Sequence, residues 1–338
     1  MIQDSIKQLI SKKSLTKTQA QQVMNEIMSG EVPGSQFGAF VTSLMLKGET
    51  ADEVAGLATS MREHSLKVSV NEKIILDTCG TGGDNSNTFN ISTASGLILA
   101  GCGLKIAKHG NRAMSGKSGS ADVLEQLGVN INLSPESVSK CIQETNFGFM
   151  FAQIFHPSMK FAAAPRKELG IKTVFNILGP LTNPANANHQ IIGVYSPSVG
   201  NLMAEVLKIL GSSRAMIVHS ADGIDEISLW DKTKIWELKN NEISNYEITH
   251  ENFGLNKINI SELKVSSPEE SVKIIQNILS GEKSAARDVA LANAAAGLLI
   301  AGKVDSLIKG VEMAKKSIDS GNALNQLNKL IQISNELQ

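Results

Sequence analysis

The stretch DTCGTGGDNSNTFNIST, residues 77–93, decides the fold, because it joins an apolar strand candidate to a helix of small residues. Its glycines leave the backbone open to a ligand and permit positive φ angles. Helix N-termini offer unpaired N–H groups and a partial positive charge. The residues that stand where this helix should be capped are Asn90, Ser92 and Thr93. The stretch therefore predicts a strand–loop–helix unit with an anion site, and a plain tight turn is the alternative.

Apolar segments of strand length recur along the chain and alternate with helical patterns. The strand candidates are residues 73–77, 104–108, 191–196 and 215–219. Such alternation predicts an α/β fold with a mostly parallel central sheet and flanking helices. Two later apolar runs, residues 227–230 and 233–238, are close enough in sequence to predict an antiparallel hairpin appended to that sheet.

The first seventy residues show helical patterns throughout. Thr50 and Glu53 have the spacing of a capping box, ahead of apolar residues at helical intervals. These apolar stripes predict the core of a small helical domain, and a dimer interface formed by part of them is the alternative. Farther along, Ser267 and Ser284 are predicted to cap two more helices.

Composition narrows the class of protein. The chain has 338 residues, a formal net charge of −1 and no run of more than two adjacent Lys or Arg. A nucleic-acid-binding surface normally carries a basic stripe, so no nucleic-acid partner is expected. No apolar run approaches the roughly 20 residues that span a bilayer, and the N-terminus lacks the apolar core of a secretory signal. We therefore expect a cytoplasmic protein without a membrane partner.

A second loop, KHGNRAMSGKSGSAD at residues 108–122, is similar to an ATP-binding P-loop. A P-loop has four residues between its first glycine and its Gly-Lys-Ser. Here five residues separate Gly110 from Gly116, so the stretch is either a chance likeness or a different phosphate cradle. Two successive strand–loop–helix units bring both loops to the same end of a parallel sheet, which favours a shared phosphate site.

A ligand with several phosphates needs more positive charge than these loops supply. Two helix N-termini provide about half a charge each, against about two negative charges on each phosphomonoester. A metal ion is therefore expected, and its candidate ligands are Asp225 and Glu226 in ADGIDEISLW, residues 221–230. Adjacent side chains on an extended backbone point apart, which suits two magnesium positions. Two solvated acids on a turn are the alternative.

Five motifs in this order resemble those of the anthranilate phosphoribosyltransferase family, over nearly the whole length of the chain. They are GTGGD (80–84), NIST (90–93), KHGNRAMSGKSGSADVLEQLG (108–128), RKELGIKTVFNILGPLTNP (166–184) and DGIDEIS (222–228). The resemblance implies an enzyme of tryptophan biosynthesis. Such an enzyme transfers the phosphoribosyl group of phosphoribosyl pyrophosphate (PRPP) to the amine of anthranilate, giving N-(5-phosphoribosyl)anthranilate and pyrophosphate. The P-loop likeness is then incidental.

The resemblance assigns residues of this chain to each ligand. The implied PRPP-binding residues are Gly80, Gly83, Asp84, Thr88, Asn90, Ile91, Ser92, Thr93, Lys108, His109, Gly110, Asn111, Arg112, Ala113, Met114, Ser115, Gly116 and Ser120. The implied anthranilate-binding residues are Gly80, Asn111 and Arg166. The implied ligands of two magnesium ions are Ser92, Asp225 and Glu226. No general base is implied, and Lys108, Asn111 and Arg166 are expected to position the substrates and stabilise charge.

The resemblance also implies two domains and a homodimer. A helical domain of residues 1–70, joined by a segment near 160–180, is expected beside an α/β PRPP-binding domain of residues 73–160 and 180–338. Relatives usually pair through the helical domain. Two alternatives share the architecture. A pyrimidine-nucleoside phosphorylase would use inorganic phosphate without the metal pair, and a non-catalytic nucleic-acid-binding relative would need a basic groove.

The chain departs from the family's pattern in HPSMKFAAAPRKELG, residues 156–170. Phe161 stands where a polar residue is expected, and Ala164 and Pro165 stand where Pro and an apolar residue are usual. These departures bear on the shape of the anthranilate entry path and leave the PRPP loops and Arg166 unchanged. In the second loop, Gly116 replaces a more usual Ser, which removes one hydroxyl group.

Overall fold

The computed structural model describes residues 1–84, 86–112 and 118–337. Four helices open the chain, namely α1 (Ile2–Ile10), α2 (Lys17–Met28), α3 (Gly34–Lys47) and α4 (Ala51–Glu63). The predicted capping box at α4 is confirmed, since Thr50 Oγ1 accepts the Glu53 N–H at 3.3 Å and Glu53 Oε2 accepts the Thr50 N–H at 2.8 Å. The buried Glu53 carboxylate also accepts from the Leu15 N–H and Lys47 Nζ, each at 2.8 Å. This one side chain therefore fixes the α1–α2 and α3–α4 connections to α4.

Strands and helices alternate after this bundle. The strands are β1 (Ile75–Gly80), β2 (Lys105–Gly110), β3 (Phe147–Phe151), β4 (His189–Gly193), β5 (Arg214–Ser220), β6 (Thr233–Lys239) and β7 (Glu242–Ile248). The helices are α5 (Ile91–Gly101), α6 (Ser120–Gln126), α7 (Pro135–Thr145), α8 (Ala152–Phe155), α9 (Lys160–Leu169), α10 (Phe175–Leu178), α11 (Pro197–Ile209), α12 (Pro268–Leu279), α13 (Ala285–Ile300), α14 (Leu307–Asp319) and α15 (Asn322–Glu336). Short 3-10 helices cover Pro157–Met159, Gly179–Leu181, His250–Phe253 and Ile260–Leu263. The predicted caps are confirmed, because the Ser267 and Ser284 side chains accept backbone N–H groups at the starts of α12 and α13.

The strands form one sheet in the order β3-β2-β1-β4-β5-β6-β7. Strands β1 to β5 pair in parallel, and β6 and β7 are antiparallel additions at one edge. The predicted α/β class is thereby confirmed. From β1 the chain proceeds outward through β2 to β3 and then returns to the other side of β1 as β4. Ligands of open α/β sheets bind at the carboxyl ends of strands beside such a reversal.

Both faces of the sheet are buried, as the alternation of side chains along β5 shows. Met216 and Val218 lie in one hydrophobic core, and Ala215 and Ile217 lie in the other. Helices α5, α13, α14 and α15 pack together, and α11 packs against β5 and β6. Helix α11 also contacts α4, which joins the sheet to the helical bundle.

The hairpin predicted for residues 227–230 and 233–238 is wrong in its first half. Strand β6 covers the second run, but its hairpin partner is β7, reached through Asn240 and Asn241 with φ angles of 52° and 63°. Positive φ at both turn residues is typical of two-residue hairpins. Residues 227–230 form a buried loop because Ser228 Oγ accepts two successive N–H groups, at 3.1 and 2.9 Å, and so turns the chain.

The segment between β3 and β4 returns to the helical bundle. Helix α9 packs against α2 and α3, and α10 packs against α4. The rings of Phe37 and Phe175 lie 5.3 Å apart between centroids. The position of α9 is therefore set by the bundle. Across residues 1–84, 86–112 and 118–337, no helix is both long enough and apolar enough to cross a membrane.

Candidate active site

The glycine loop, residues 81–84, follows β1 and lies beside Asp225. The Gly82 N–H donates to Asp225 Oδ2 at 2.8 Å. Gly82 and Gly83 have φ angles of 63° and 76°, a region that favours glycine. A Cβ added to Gly80 would clash with Asp225 Oδ2, so glycine at this position permits the carboxylate to approach the strand. The structure thus brings the predicted glycines and a predicted metal ligand together.

The start of α5 contributes the next part of the site. Asn90 caps the helix as predicted, since its Oδ1 accepts the Thr93 N–H at 3.1 Å. The Asn90 N–H donates to Ser271 Oγ at 2.9 Å, which fixes the cap against α12. Ile91, the first residue of α5, is buried, and Thr88 forms an isolated antiparallel bridge with Lys264. The backbone N–H groups of this helix end are therefore held in a fixed position for an anion.

Lys108 reaches the site from inside the protein. Its side chain is buried, and Nζ donates to the Thr78 carbonyl and, at 3.1 Å, to Ser92 Oγ. Burial lowers the pKa of Lys108, and the nearby carboxylates of Asp77 and Glu226 oppose that shift. Lys108 therefore supports Ser92, a predicted magnesium ligand, and places a positive charge beneath it.

The carboxylates of Asp225 and Glu226 are partly buried, and a third carboxylate, that of Asp84, lies close to them. The Asp225 N–H donates to Asp84 Oδ2 at 3.5 Å. Burial raises the pKa of Asp225 to about 7, and the charge of Asp84 adds to the shift. Burial also raises the pKa of Glu226 well above its usual range, with a further contribution from Asp225 and an opposing one from Lys108. The site therefore concentrates negative charge that its own lysine does not balance.

The oxygen atoms of Asp225, Glu226 and Ser92 fit a hard divalent cation. The described part of the chain has no group of three or more His, Cys, Asp or Glu side chains arranged to hold a metal ion. Magnesium does not require such a cage, because it uses one or two carboxylates and takes its other ligands from water and substrate phosphates. Asp225, Glu226 and the Ser92 hydroxyl offer only oxygen atoms, and burial disfavours the charged form of both carboxylates, a cost that a bound cation offsets.

The β2–α6 connection contributes the second loop. Glycine at position 110 allows the Ser120 hydroxyl to lie against the end of β2, since a Cβ at that position would clash with Ser120 Oγ. The Ser120 hydroxyl donates to the Asn111 carbonyl at 3.4 Å. The guanidinium group of Arg112 pairs with Glu125 at 2.8 Å and with an Asp122 oxygen at 3.0 Å, so its side chain points toward α6. Four predicted PRPP-binding residues lie outside the described residues, namely Ala113, Met114, Ser115 and Gly116.

Two buried residues without a predicted role, Asp77 and Asn183, hold this end of the sheet. Asp77 accepts from Asn183 Nδ2 at 2.8 Å and from the His109 N–H at 3.2 Å. Asn183 Nδ2 also donates to the Ala107 carbonyl at 2.8 Å. These bonds join β1, β2 and the residues before β4. The signal for Asn183 was its place in the GPLTNP motif, residues 179–184, and Asp77 opens the stretch of residues 77–93.

His109 is a buried, neutral histidine. Burial lowers its pKa to about 3, helped by the neighbouring ring of His156, whose centroid is 4.9 Å away. Burial likewise lowers the pKa of His156 to about 4. The Nε2 atoms of both rings are buried and have no hydrogen-bond partner among the described residues. The environment of His109 therefore opposes uptake of a proton, which does not favour it as a general base.

Replacing His156 with Gln should make stability less dependent on pH in the acidic range. A histidine with a depressed folded-state pKa stabilises the protein fully above its unfolded value of about 6.5, and that contribution is lost as pH falls toward the folded value. We expect the free energy of unfolding of His156→Gln to fall less steeply, by up to about 1.4 kcal/mol per pH unit. Urea unfolding between about pH 7 and pH 4.5 measures the slope. His250→Gln, a change outside this pair, is the control, and equal slopes for His156→Gln and the unmodified protein would refute the interpretation.

Arg166 is placed by α9, apart from the phosphate loops. Its guanidinium carbon lies 5.1 Å from the centroid of the Phe175 ring. Burial lowers its pKa, and within the described residues it has no ion pair with a carboxylate. No hydrogen bond joins it to the other predicted site residues of the described chain. Arg166 is therefore a half-buried cation without an anionic partner in the part of the protein that the structure describes.

The unusual Phe161 contacts the helical bundle. A Cβ added to Gly30, in the turn after α2, would lie 2.7 Å from the Phe161 ring. The ring is 42% exposed, and Lys160 Nζ lies 5.0 Å from its centroid. Glycine at position 30 therefore provides the space for the phenyl ring that this chain carries.

Comparison with known proteins places the whole chain in one family. The helical bundle domain of the glycosyl transferase family matches residues 3–65, and the a/b domain of the glycosyl transferase family matches residues 72–324. Anthranilate phosphoribosyltransferase of Acetivibrio thermocellus is 47% identical over 99% of this chain and 97% of its own length. The Alkaliphilus metalliredigens protein of that name is 48% identical over 100% of both chains.

Solved structures agree with these relatives. The crystal structure of anthranilate phosphoribosyltransferase from Thermus thermophilus superposes with a TM-score of 0.93 at 40% identity, covering 98% of this chain and 99% of that one. The Saccharomyces cerevisiae enzyme in complex with PRPP and Mg superposes with a TM-score of 0.92 at 30% identity, covering 99% and 98%. The chain belongs to the anthranilate phosphoribosyltransferase family.

Proposed function

We propose that this chain transfers the phosphoribosyl group of PRPP to the amine of anthranilate, releasing pyrophosphate, as a step of tryptophan biosynthesis. The observation that carries the proposal is the meeting of the glycine loop with the Asp225 carboxylate, where the Gly82 N–H to Asp225 Oδ2 distance is 2.8 Å. In a member of this family, the contact supports a site in which the glycine loop would bind phosphate beside a carboxylate that would hold its cation.

The donor substrate would occupy the two loops at the carboxyl ends of β1 and β2. The glycine loop and the start of α5 would bind the pyrophosphate of PRPP through backbone N–H groups and hydroxyls. The second loop, from Lys108 to Ser120, would cover the phosphoribosyl part. Lys108 would act from beneath, because its ammonium group is buried against Ser92.

Magnesium is the cation that we propose for the carboxylates. A structure of the Saccharomyces cerevisiae relative is in complex with PRPP and Mg. In this chain Asp225, Glu226 and Ser92 would hold the ions, and we propose two of them. Bound magnesium supplies charge neutralisation for the departing pyrophosphate. The remaining stabilisation would come from the backbone donors of the glycine loop.

The acceptor would lie between the second loop and α9. A structure of the Saccharomyces cerevisiae relative is in complex with 4-fluoroanthranilate. In this chain the Arg166 guanidinium would oppose the carboxylate of anthranilate, and the Asn111 side chain would orient its amine, with Gly80 beside it. An aromatic amine is mostly unprotonated at neutral pH, so the reaction needs positioning of the amine at C1 of the ribose more than it needs a base.

We further propose that the protein is a cytoplasmic homodimer with two domains. Residues 1–70 and the segment near 160–180 would form the helical domain and supply the dimer interface. Residues 73–160 and 180–338 would form the PRPP-binding domain. The packing of α9 and α10 on α2, α3 and α4 supports this division.

The proposed reaction predicts a loss of anthranilate fluorescence that requires both PRPP and magnesium. Purified protein mixed with anthranilate, PRPP and magnesium should consume the fluorophore, and a chelator should stop the reaction. If PRPP binds but anthranilate is not consumed under any condition, the acceptor is a different molecule.

Two control assays address the other functions of this architecture. Phosphate-dependent cleavage of a pyrimidine nucleoside in the presence of chelator would indicate a phosphorylase. A salt-sensitive DNA mobility shift at physiological ionic strength would indicate a nucleic-acid-binding relative.

A further inference from the structure

Lys172, in the connection between α9 and α10, reaches the glycine loop. Its Nζ donates to the Gly83 carbonyl at 3.1 Å. A Cβ added to Gly83 would lie 3.5 Å from the same nitrogen, so the ammonium group lies directly over the backbone of that residue. The side chain is exposed, which leaves its remaining donors free for a ligand.

An aromatic ring holds the lysine in this position. The ammonium nitrogen lies 4.2 Å from the centroid of the Tyr195 ring. The Tyr195 N–H in turn donates to Thr81 Oγ1 at 3.2 Å, at the start of the glycine loop. The lysine, the aromatic ring and the loop therefore form one continuous set of contacts. A cation placed over an aromatic face is attracted by the ring, so Tyr195 limits the positions that Lys172 can adopt.

The glycine loop needs such external support. Gly82 and Gly83 are adjacent and both have positive φ, and glycine pairs of this kind change conformation at little cost. Asp225 fixes the first of them by accepting the Gly82 N–H at 2.8 Å. Lys172 fixes the second through its carbonyl. The orientation of the intervening peptide groups therefore depends on one contact from each side of the loop.

The charge of the lysine suits the ligand of this loop. The ammonium group of Lys172 brings a positive charge to the Gly83 carbonyl, and a positive charge beside this loop attracts a diphosphate. Lys172 follows Arg166 by six positions in the same segment of chain, so its contact with the Gly83 carbonyl joins the glycine loop to the segment that carries Arg166.

We infer that Lys172 is a positioning residue that holds the glycine loop ready for the pyrophosphate part of PRPP and links the loop to the acceptor-side segment. The inference rests on the proposed function for the identity of the ligand. The chemistry that it requires is a diphosphate group with its magnesium ion.

The test compares Lys172→Met with Lys172→Arg, and uses Lys167→Met as the matched control. Lys167 lies on α9 five positions earlier and is exposed. Calorimetry with magnesium pyrophosphate alone should show a dissociation constant about tenfold higher for Lys172→Met, equivalent to about 1.4 kcal/mol. The KM for PRPP should rise by a similar factor, and the KM for anthranilate should change by less than about twofold. Lys172→Arg should restore most of the affinity, and Lys167→Met should match the unmodified protein.

Two results would overturn the inference: unchanged pyrophosphate binding by Lys172→Met, or equal weakening by Lys167→Met. Tyr195→Leu keeps the lysine but removes its aromatic support, and it should weaken pyrophosphate binding in the same direction by a smaller factor. The calorimetry contains no anthranilate, so it tests the role of Lys172 in binding pyrophosphate independently of the proposed transfer reaction. A protein that binds pyrophosphate through Lys172 but does not consume anthranilate would refute only the latter.

Discussion

The double variant Asp225→Asn/Glu226→Gln is expected to lose most of its turnover and, without ligands, to resist unfolding better than the unmodified protein. The loss of turnover follows from the proposed role of both carboxylates in holding magnesium. Removing one preorganised electrostatic contact to a developing charge typically lowers kcat by about 10²–10³-fold. We expect a loss at least in that range at saturating PRPP, measured by anthranilate fluorescence over a series of magnesium concentrations.

The gain in stability follows from the raised pKa values of these two partly buried acids. The pKa of Asp225 is raised to about 7 and that of Glu226 well above its usual range. A carboxyl group with a raised folded-state pKa binds more protons in the folded than in the unfolded protein. The stabilising contribution of such a group is therefore fully present below the group's unfolded-state pKa of about 4. It is lost as the pH rises through the folded-state pKa. The amides of the double variant carry no such penalty.

Urea unfolding in the presence of chelator tests this expectation. At about pH 8 the double variant should have a free energy of unfolding about 1–3 kcal/mol higher than the unmodified protein, and the difference should shrink toward about pH 4. Asp231→Asn, an exposed carboxylate in the same connection, is the control and should change neither property. An unchanged magnesium dependence would count against the metal assignment. A double variant that is less stable at the higher pH would contradict the unfavourable burial of the two charges.

Arg166→Ala should raise the KM for anthranilate by roughly 10- to 100-fold, which is the usual loss for a hydrogen bond to a charged group. The guanidinium group is half-buried, lies against Phe175 and has no carboxylate partner within the described residues. The positive charge of such a half-buried group is neutralised when an anionic ligand binds. Binding of PRPP, measured by calorimetry, should be unchanged, since Arg166 has no contact with the described residues of the phosphate loops.

Two further variants sharpen this experiment. Arg166→Lys should recover only part of the lost affinity, because an ammonium group cannot reproduce the planar, bidentate geometry of guanidinium with a carboxylate. Lys167→Ala removes an adjacent charge and should leave both KM values unchanged. If Arg166→Ala weakens PRPP and anthranilate equally, Arg166 does not have the acceptor role proposed for it.

Local signals in the sequence predicted much of the fold because they act over a few residues. The side chains of Thr50, Asn90 and Ser284 cap helices where their spacing placed them. Two strands were missed for different reasons. Strand β3, FGFMF, is buried throughout and so lacks alternation, whereas β7, EISNYEI, is a mostly exposed edge strand with few apolar residues.

The site was predictable as far as its residues lie in motifs. The glycine loop, Ser92 and the Asp225 region were found in sequence and meet in space. Lys172 lies in the motif of residues 166–184, but its contribution could not be predicted from that motif, because it depends on contacts with a distant loop and with Tyr195. Similarly, residues 227–230 form a loop because one hydroxyl, that of Ser228, binds two N–H groups, a preference that apolar composition conceals.

The separate origins of the two halves of the site have a consequence for protein engineering. The proposed phosphate-binding groups come from loops at the carboxyl ends of sheet strands, whereas Arg166 comes from α9, which packs on the helical bundle. A library of variants confined to α9 would therefore alter the proposed acceptor surface and leave the proposed PRPP-binding loops in place. This architecture suits directed evolution toward other amine acceptors, because the demanding donor chemistry need not be rebuilt.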